Sequence, residues 1–184
     1  MIQEIFPTPI KIVDLSSELE GLYDIVMNQT FAIHGLVSSG VSSYRTNNSI
    51  LDMKEFHTIK KLLQSEVDEL SIALGVEKNS IGNSWCNIMN EGGEVKSHNH
   101  PCSVISGALY INADENAGAF NIENPMLCHH MMYDLERETD YTRSYISIEA
   151  RTGILILFPS FLKHWVTNNL QKNRMVLSFN TNYF

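Results

Sequence analysis

The feature that most constrains the fold is a series of short apolar segments that follows residue 83. Each segment is rich in β-branched or aromatic residues, and clusters of Gly, Asn and Pro separate it from the next. Strand-length segments with such turn clusters between them are typical of sandwiches and small barrels. The segments are residues 84–89, 104–111, 119–122, 145–148, 154–158 and 175–179.

The N-terminal part of the chain has helical periodicity instead. Between residues 52 and 74, apolar side chains recur every three or four positions, which predicts an amphipathic helix. Asp52 is expected to cap the start of this helix, and Gly75 to end it. A shorter helix is predicted over residues 16–28, and an extended edge segment, interrupted by two prolines, over residues 2–15.

These patterns predict one domain over residues 1–184, of the α+β class and mainly β. Its helical N-terminal part, at about residues 16–75, is expected to pack on one sheet of a β core at about residues 81–184. The chain is long enough to bury a substantial hydrophobic core. Residues 126–142 show no periodicity, so we expect a long loop or lid there.

Charge and composition exclude several classes of protein. A net charge of −8 argues against a nucleic-acid-binding surface, because that affinity depends on Lys and Arg neutralising phosphates. No apolar segment approaches the roughly 20 residues needed to span a bilayer, and the N-terminus does not read as a signal peptide. Three cysteines without CxxC spacing suit a reducing compartment, so we expect a cytoplasmic protein.

Three histidines form a candidate metal site. His98 and His100 are separated by one residue, so on a strand both side chains project from the same face. His164 follows the apolar segment at residues 154–158, which would bring it to the pair from a neighbouring strand. Imidazole binds iron, copper, zinc and nickel, so the ligand type leaves the metal open. Residues 128–130, Cys-His-His, are adjacent and diverge in space, and we predict no metal site there.

Polar residues on two other predicted strands are candidates for a pocket. On the last strand Arg174, Val176 and Ser178 share one face. An arginine at the start of a strand is usually exposed, so its position alone assigns it no role. Asn87 lies on the strand that precedes the histidine pair, where it could line a pocket or make structural hydrogen bonds.

In these segments the chain resembles the iron(II)/2-oxoglutarate dioxygenase superfamily. The likeness covers about the last hundred residues in the family's order, and extends to small oxygenases of marine bacteria and phages that are related to prolyl 4-hydroxylases. The motifs that carry it are WCN (85–87), HNHP (98–101), SGALYIN (106–112), GAFNIENP (118–125), FPSFLKHWV (158–166) and RMVLSFN (174–180).

The resemblance implies a double-stranded β-helix, or jelly roll, that binds iron(II) and 2-oxoglutarate. It places His98 on the family's first histidine ligand and His164 on its distal one. It also implies that an arginine and a tyrosine hold the far carboxylate of 2-oxoglutarate, since a planar guanidinium donates two parallel hydrogen bonds to a carboxylate. The residues implied to bind the cofactor are Arg174, Tyr110, Ser178 and Asn87.

The third metal ligand departs from the superfamily pattern. His100 stands where most members carry Asp or Glu. Either His100 is the ligand, or a carboxylate such as Glu123 or Asp114 approaches from elsewhere. We expect His100, because its side chain shares a strand face with that of His98.

The expected function is that of an iron(II)- and 2-oxoglutarate-dependent hydroxylase. It would consume dioxygen, act on a C–H bond of a peptidyl residue or a small molecule, and release succinate and carbon dioxide. Neither a nucleic acid nor a membrane is an expected partner, and a homodimer is left open. If a phage encodes the chain, the expected location is the cytoplasm of the host cell.

Two other functions fit part of the pattern. A cupin-type three-histidine metalloprotein would not use 2-oxoglutarate, but a cupin usually has a glutamate shortly after the histidine pair, where this chain has Val104 and Ile105. It would also leave Arg174 without a role. A non-catalytic β-sandwich, as a phage structural or ligand-binding protein, would not need all of His98, His100 and His164.

Overall fold

The computed structural model describes residues 2–3, 5–126 and 136–182 and contains two antiparallel β-sheets. The larger sheet has the order β1-β8-β5-β10-β3-β2 and the smaller one β4-β9-β6-β7. In chain order the strands are β1 (Lys11–Asp14), β2 (Gly40–Ser42), β3 (Ser80–Met89), β4 (Gly93–His98), β5 (Ile105–Asn112), β6 (Ala119–Glu123), β7 (Tyr145–Glu149), β8 (Ile154–Pro159), β9 (His164–Asn169) and β10 (Arg174–Asn182). This arrangement confirms the predicted double-stranded β-helix.

Two hydrophobic cores lie on opposite faces of the larger sheet. Helices α1 (Leu22–Met27) and α2 (His57–Leu74) bury their apolar sides on one face. The smaller sheet packs on the other face, where Phe120 of β6 contacts Phe158 of β8. Strand β8 is therefore buried at every position, as expected for a strand covered on both sides.

The predicted helix at residues 52–74 begins later than its periodicity indicates. Two 3-10 turns, Ile50–Asp52 and Lys54–Phe56, precede α2, which starts at His57. Asp52 does not cap this helix, and its carboxylate pairs with Lys60 Nζ at 2.5 Å instead. The end of the helix is as predicted, because Gly75 adopts the left-handed conformation with φ 66°.

The N-terminal segment combines a correct and an incorrect prediction. Strand β1 pairs with β8 and forms an edge of the larger sheet, as expected. The single helix predicted over residues 16–28 is wrong, because Gly21, with φ 75°, separates a 3-10 turn at Ser16–Glu18 from α1. Nearby, a Cβ at Gly153 would lie 2.5 Å from the Ser16 Cα. The lack of a side chain at Gly153 therefore allows the two backbone segments to approach each other this closely.

Some predictions fall on short or undescribed segments. Three strands were not predicted, namely β2 within an expected loop, and β4 and β9 in the smaller sheet. The predicted lid at residues 126–142 and the Cys-His-His sequence at 128–130 lie largely or wholly outside the described residues. In the part that the structure describes, no helix combines the length and the apolar character needed to cross a membrane.

Candidate active site

Three histidines converge at one end of the smaller sheet. His98 ends β4 and His164 begins β9, and the two are direct cross-strand partners. His100 follows two residues after the end of β4, and its ring centroid lies 5.1 Å from that of His98 and 5.0 Å from that of His164. One ligand atom from each residue lies within 4.8 Å of the other two. No other cluster of three or more His, Cys, Asp or Glu in the described segments could hold a metal.

The Nδ1 atoms of the two strand histidines are occupied by backbone carbonyls. His98 Nδ1 donates to the Lys96 carbonyl at 2.7 Å, and His164 Nδ1 to the Leu162 carbonyl at 2.9 Å. A carbonyl can only accept, so in both rings Nδ1 carries the proton. This leaves both Nε2 atoms with free lone pairs, the state in which an imidazole binds a metal.

His100 joins the cluster by a different route from the one predicted. It lies in the loop after β4 rather than on the strand, so a shared strand face does not explain its position. Its backbone N–H donates to the Ser160 carbonyl at 2.9 Å, and its Nδ1 contacts the side chains of Asn180 and Ser106.

Neither of the alternative carboxylates belongs to this cluster. Glu123 Oε1 lies 3.5 Å from Lys163 Nζ, and Asp114 Oδ1 accepts a hydrogen bond from the Asn116 N–H at 2.7 Å. Among the described residues the donor set is therefore three neutral imidazoles. Such a set leaves the full charge of a divalent metal uncompensated, which favours an anionic co-ligand.

The environment of the three histidines keeps them neutral in the metal-free protein. Burial is the main cause, and it lowers the pKa of His100 to about 4 and that of His164 to about 3. Burial also lowers the pKa of His98, where the hydrogen bond to Lys96 acts in the opposite direction. A metal therefore competes with few protons for these histidines at neutral pH.

The metal-free protein is expected to lose stability when the pH falls from 7 to 5. The pKa of His164 is lower in the folded chain than its ordinary value of 6.5, so the unfolded chain binds more protons across this interval. The Tm of chelator-treated protein should therefore fall with pH, and more steeply than in a His164→Asn variant, which lacks the titrating ring. Equal slopes for the two proteins would contradict the expectation. Both proteins carry the same net charge of −8, so its effect on the pH dependence of the Tm cancels when the two slopes are compared.

Arg174 is a buried cation to which the described part of the chain offers no carboxylate partner. Its side chain is only 2% exposed, and no Asp or Glu of the described residues lies within salt-bridge distance. One guanidinium nitrogen donates to Tyr110 Oη at 3.2 Å, and Nε is buried and has no hydrogen-bond partner in the segments that the structure describes. An unpaired charge in such a place is costly, and its burial lowers the pKa of the guanidinium. A bound carboxylate would remove that cost.

The other three predicted cofactor residues lie beside Arg174 on the inner face of the larger sheet. Tyr110 and Asn87 flank Val176 as its cross-strand partners, and Ser178 lies between Ala108 and Trp85. Burial raises the pKa of the Tyr110 phenol, which therefore remains a hydrogen-bond donor. Asn87 Oδ1 is buried and has no hydrogen-bond partner among the described residues.

All of these residues line one cavity of about 440 Å³ between the two sheets. The three histidines, Arg174, Tyr110, Ser178 and Asn87 all contribute to its wall. A series of aromatic rings on the same wall was not predicted from the sequence. Trp85 packs edge-on against Tyr44 with centroids 5.0 Å apart, and Tyr44 packs against His34 at 5.4 Å. Nothing in the local sequence marks Tyr44 or His34, because they come from the loop region before α2.

The chain is similar in sequence to one known protein family and in fold to several solved structures. Residues 83–180, more than half of the chain, match the family described as "Putative 2OG-Fe(II) oxygenase". No curated protein gives a significant sequence match. Solved structures share the fold at low identity, and three of them illustrate the range of ligands.

A viral collagen prolyl hydroxylase from Paramecium bursaria Chlorella virus 1, in complex with 2-oxoglutarate, has a TM-score of 0.62 and 12% identity, over 95% of this chain and 96% of its own. HygX from Streptomyces hygroscopicus, with nickel, 2-oxoglutarate and hygromycin B bound, has a TM-score of 0.62 and 12% identity, over 95% and 83%. A prolyl hydroxylase from Trichoplax adhaerens, in complex with a peptide fragment of hypoxia inducible factor, has a TM-score of 0.60 and 15% identity, over 94% and 83%.

The family match accounts for the three-histidine cluster and for the buried arginine together. Iron(II) and 2-oxoglutarate are the cofactors of this family, and a three-histidine cluster and a buried guanidinium face one cavity in this chain. The cupin and non-catalytic alternatives would leave that arginine unexplained. The chain belongs to the 2-oxoglutarate- and iron(II)-dependent oxygenases.

Proposed function

We propose that this protein hydroxylates a C–H bond of a substrate that enters the cavity past Trp85 and Tyr44. In this proposal His98, His100 and His164 hold the iron, while Arg174 and Tyr110 hold the far carboxylate of 2-oxoglutarate. The observation that carries the proposal is the buried guanidinium of Arg174, which has no carboxylate partner among the described residues and faces the same cavity as the three histidines.

When bound, iron(II) and 2-oxoglutarate supply the oxidising chemistry, in which dioxygen and 2-oxoglutarate are consumed and succinate and carbon dioxide are released. The chain's own residues orient these groups. Arg174 and the Tyr110 phenol converge through their 3.2 Å hydrogen bond, which leaves the phenol proton free to be donated to a carboxylate. Phe158 and Phe120 pack against the His164 ring at centroid distances of 4.7 and 5.3 Å and exclude water from that side of the metal.

We propose that the substrate lies against the rings of Trp85 and Tyr44. Their edge-to-face arrangement offers an apolar wall, and Asn83 and Asn99 add uncharged hydrogen-bonding groups to the same cavity. Two of the structural neighbours have a hygromycin and a peptide fragment bound, so the fold takes small molecules as well as peptides. This part of the cavity wall therefore suits an uncharged group of a peptidyl residue or of a small molecule.

The cytoplasm is the location that we propose. Cys86 is a buried free thiol and Cys102 an exposed free thiol. Unpaired thiols, one of them accessible, suit a reducing compartment better than an oxidising one.

An anaerobic titration of the purified protein tests the proposal. Iron(II) is added first and 2-oxoglutarate second, and the visible absorption is recorded. We expect iron binding, followed by a weak charge-transfer band that appears only with 2-oxoglutarate and saturates at one equivalent. Succinate serves as the control ligand, since it carries two carboxylates but lacks the keto group. Iron binding without a band would favour the cupin alternative, and binding of neither ligand would favour a non-catalytic protein.

A further inference from the structure

The three histidines differ in what holds their outer ring nitrogen. His98 and His164 each donate to a backbone carbonyl two residues earlier in the chain. Those acceptors belong to the local backbone and do not depend on which side chains occupy the positions. His100 lies beyond the end of β4 and finds its acceptor on a side chain 80 residues away, Asn180 on β10. Its orientation therefore depends on particular residues elsewhere in the sequence.

The surroundings of His100 Nδ1 form a buried hydrogen-bond network. Ser106 Oγ lies 2.9 Å from His100 Nδ1, donates to Asn180 Oδ1 at 2.8 Å, and lies 2.7 Å from Ser160 Oγ. Ser106 and Ser160 are fully buried, and Asn180 is 7% exposed. Asn180 and Ser106 are cross-strand partners on β10 and β5, which places both side chains on the cavity face of the larger sheet.

This network determines which nitrogen of His100 faces the other two histidines. An amide oxygen can only accept, so the contact with Asn180 Oδ1 requires a proton on His100 Nδ1. The free lone pair is then on Nε2, as in His98 and His164. A carboxylate at position 100 would instead place an acceptor against the amide oxygen of Asn180, which is unfavourable when buried.

We propose that Asn180 is the positioning residue for the third metal ligand, acting through His100 and supported by Ser106 and Ser160. Asn180 belongs to the larger sheet, whereas His100 follows β4 of the smaller sheet. The acceptor oxygen of Asn180 favours a histidine over a carboxylate at position 100. This role rests on the proposed metal site and belongs to a residue outside the three-histidine cluster.

Nickel(II) affinity tests this role without any turnover, since nickel supports no oxygen chemistry here. The dissociation constant is measured by competition with a coloured chelator. Asn180→Leu, which removes the acceptor, should weaken nickel binding by about 10- to 100-fold, the usual effect of losing an outer hydrogen-bond partner of a ligating histidine. Asn180→Asp, which keeps an acceptor at the same place, should retain the affinity of the parent protein.

A double-mutant cycle separates positioning from a general effect on the fold. In a His100→Ala background, Asn180→Leu should change nickel affinity by less than about two-fold, because the residue through which it acts is absent. The same loss in both backgrounds would overturn the inference. Asn79→Leu is the matched control, because Asn79 is likewise a buried asparagine with a hydrogen bond to a serine, Ser71, but it lies outside the cavity. This control should lower the Tm and leave nickel affinity unchanged.

Nitrogen-15 NMR of the histidine rings provides a second test, because it shows directly which ring nitrogen carries the proton. With zinc bound, all three rings should show a proton on Nδ1, and Asn180→Leu should disturb that pattern in His100 alone. An unchanged His100 pattern in the variant would also overturn the inference. If the parent protein binds neither nickel nor zinc, the proposed metal site itself fails, and that result is distinct from a variant that binds as well as its parent.

Discussion

Replacing Arg174 with Met is expected to abolish the response to 2-oxoglutarate while metal binding remains. The guanidinium is the cation buried on the cavity wall, and Met fills a similar volume without charge or hydrogen-bond donors. A charge-assisted bidentate contact with a carboxylate contributes several kcal/mol, of the order of 3–5 kcal/mol when one partner of a buried pair is removed. The affinity for 2-oxoglutarate should thus fall by more than roughly 100-fold.

The same substitution should not reduce the stability of the cofactor-free protein. In the absence of a ligand, the described residues offer Arg174 only the neutral Tyr110 hydroxyl and ring, with the guanidinium carbon 5.0 Å from the ring centroid. Removing a buried charge that lacks a counter-ion is neutral or stabilising. We therefore expect a Tm equal to or above that of the parent protein, together with the loss of cofactor binding.

Calorimetric titration of the nickel-loaded protein with 2-oxoglutarate measures this effect. Arg151→Met is the control, because Arg151 is an exposed arginine on the turn before β8 and does not line the cavity. It should bind 2-oxoglutarate as the parent does. If the Arg174 variant kept its 2-oxoglutarate affinity, the assignment of the cofactor site would be wrong, even with the metal site intact.

Replacing His164 with Ala should cost the protein its metal. His164 is the most buried of the three histidines, and its ring packs against those of Phe158 and Phe120. Among the described residues, no other His, Cys, Asp or Glu that could replace it joins the cluster. Loss of a direct ligand should exceed the roughly 10- to 100-fold effect of an outer partner, so we expect more than about 100-fold weaker binding of nickel or iron(II). The 2-oxoglutarate band should disappear with the metal.

The control for this variant is His57→Ala at the exposed start of α2. Both variants are compared with the parent by chelator competition and by metal content after purification. Full metal retention by the His164 variant would remove this residue from the site. His100→Asp belongs in the same series, since partial retention there would show that a carboxylate can serve at position 100 when Asn180 is still present.

The larger sheet could be predicted from the sequence much better than the smaller one. Strands such as β5 and β8 are buried on both faces and appear as continuous apolar segments. Strands β4 and β9 face the cavity on one side and solvent on the other over a short length, and their sequences, GEVKSH and HWVTNN, are mostly polar. This polar composition hid both strands in the sequence, and it includes the two histidines proposed as metal ligands.

The candidate site was also only partly predictable. The spacing of His98, and the apolar segment before His164, singled out these two histidines, whereas Arg174 was singled out by the family resemblance. The position of His100 could not be derived from strand alternation, since it depends on a loop and on side chains from β5 and β10. The contact between the rings of Tyr44 and Trp85 was not predicted, because these residues are distant in sequence and meet through tertiary packing.

The two halves of the site belong to different sheets, and this division has a consequence for co-substrate choice. The proposed metal ligands His98 and His164 lie on β4 and β9, whereas Arg174 and Tyr110 lie on β10 and β5. In the proposed arrangement, the thickness of the apolar layer between the sheets sets how long a dicarboxylate must be to reach both ends. A keto acid one carbon shorter or longer would leave one end unbound. Substitutions in that layer, at Ile156 for example, would then alter the choice among keto acids without touching either ligand group.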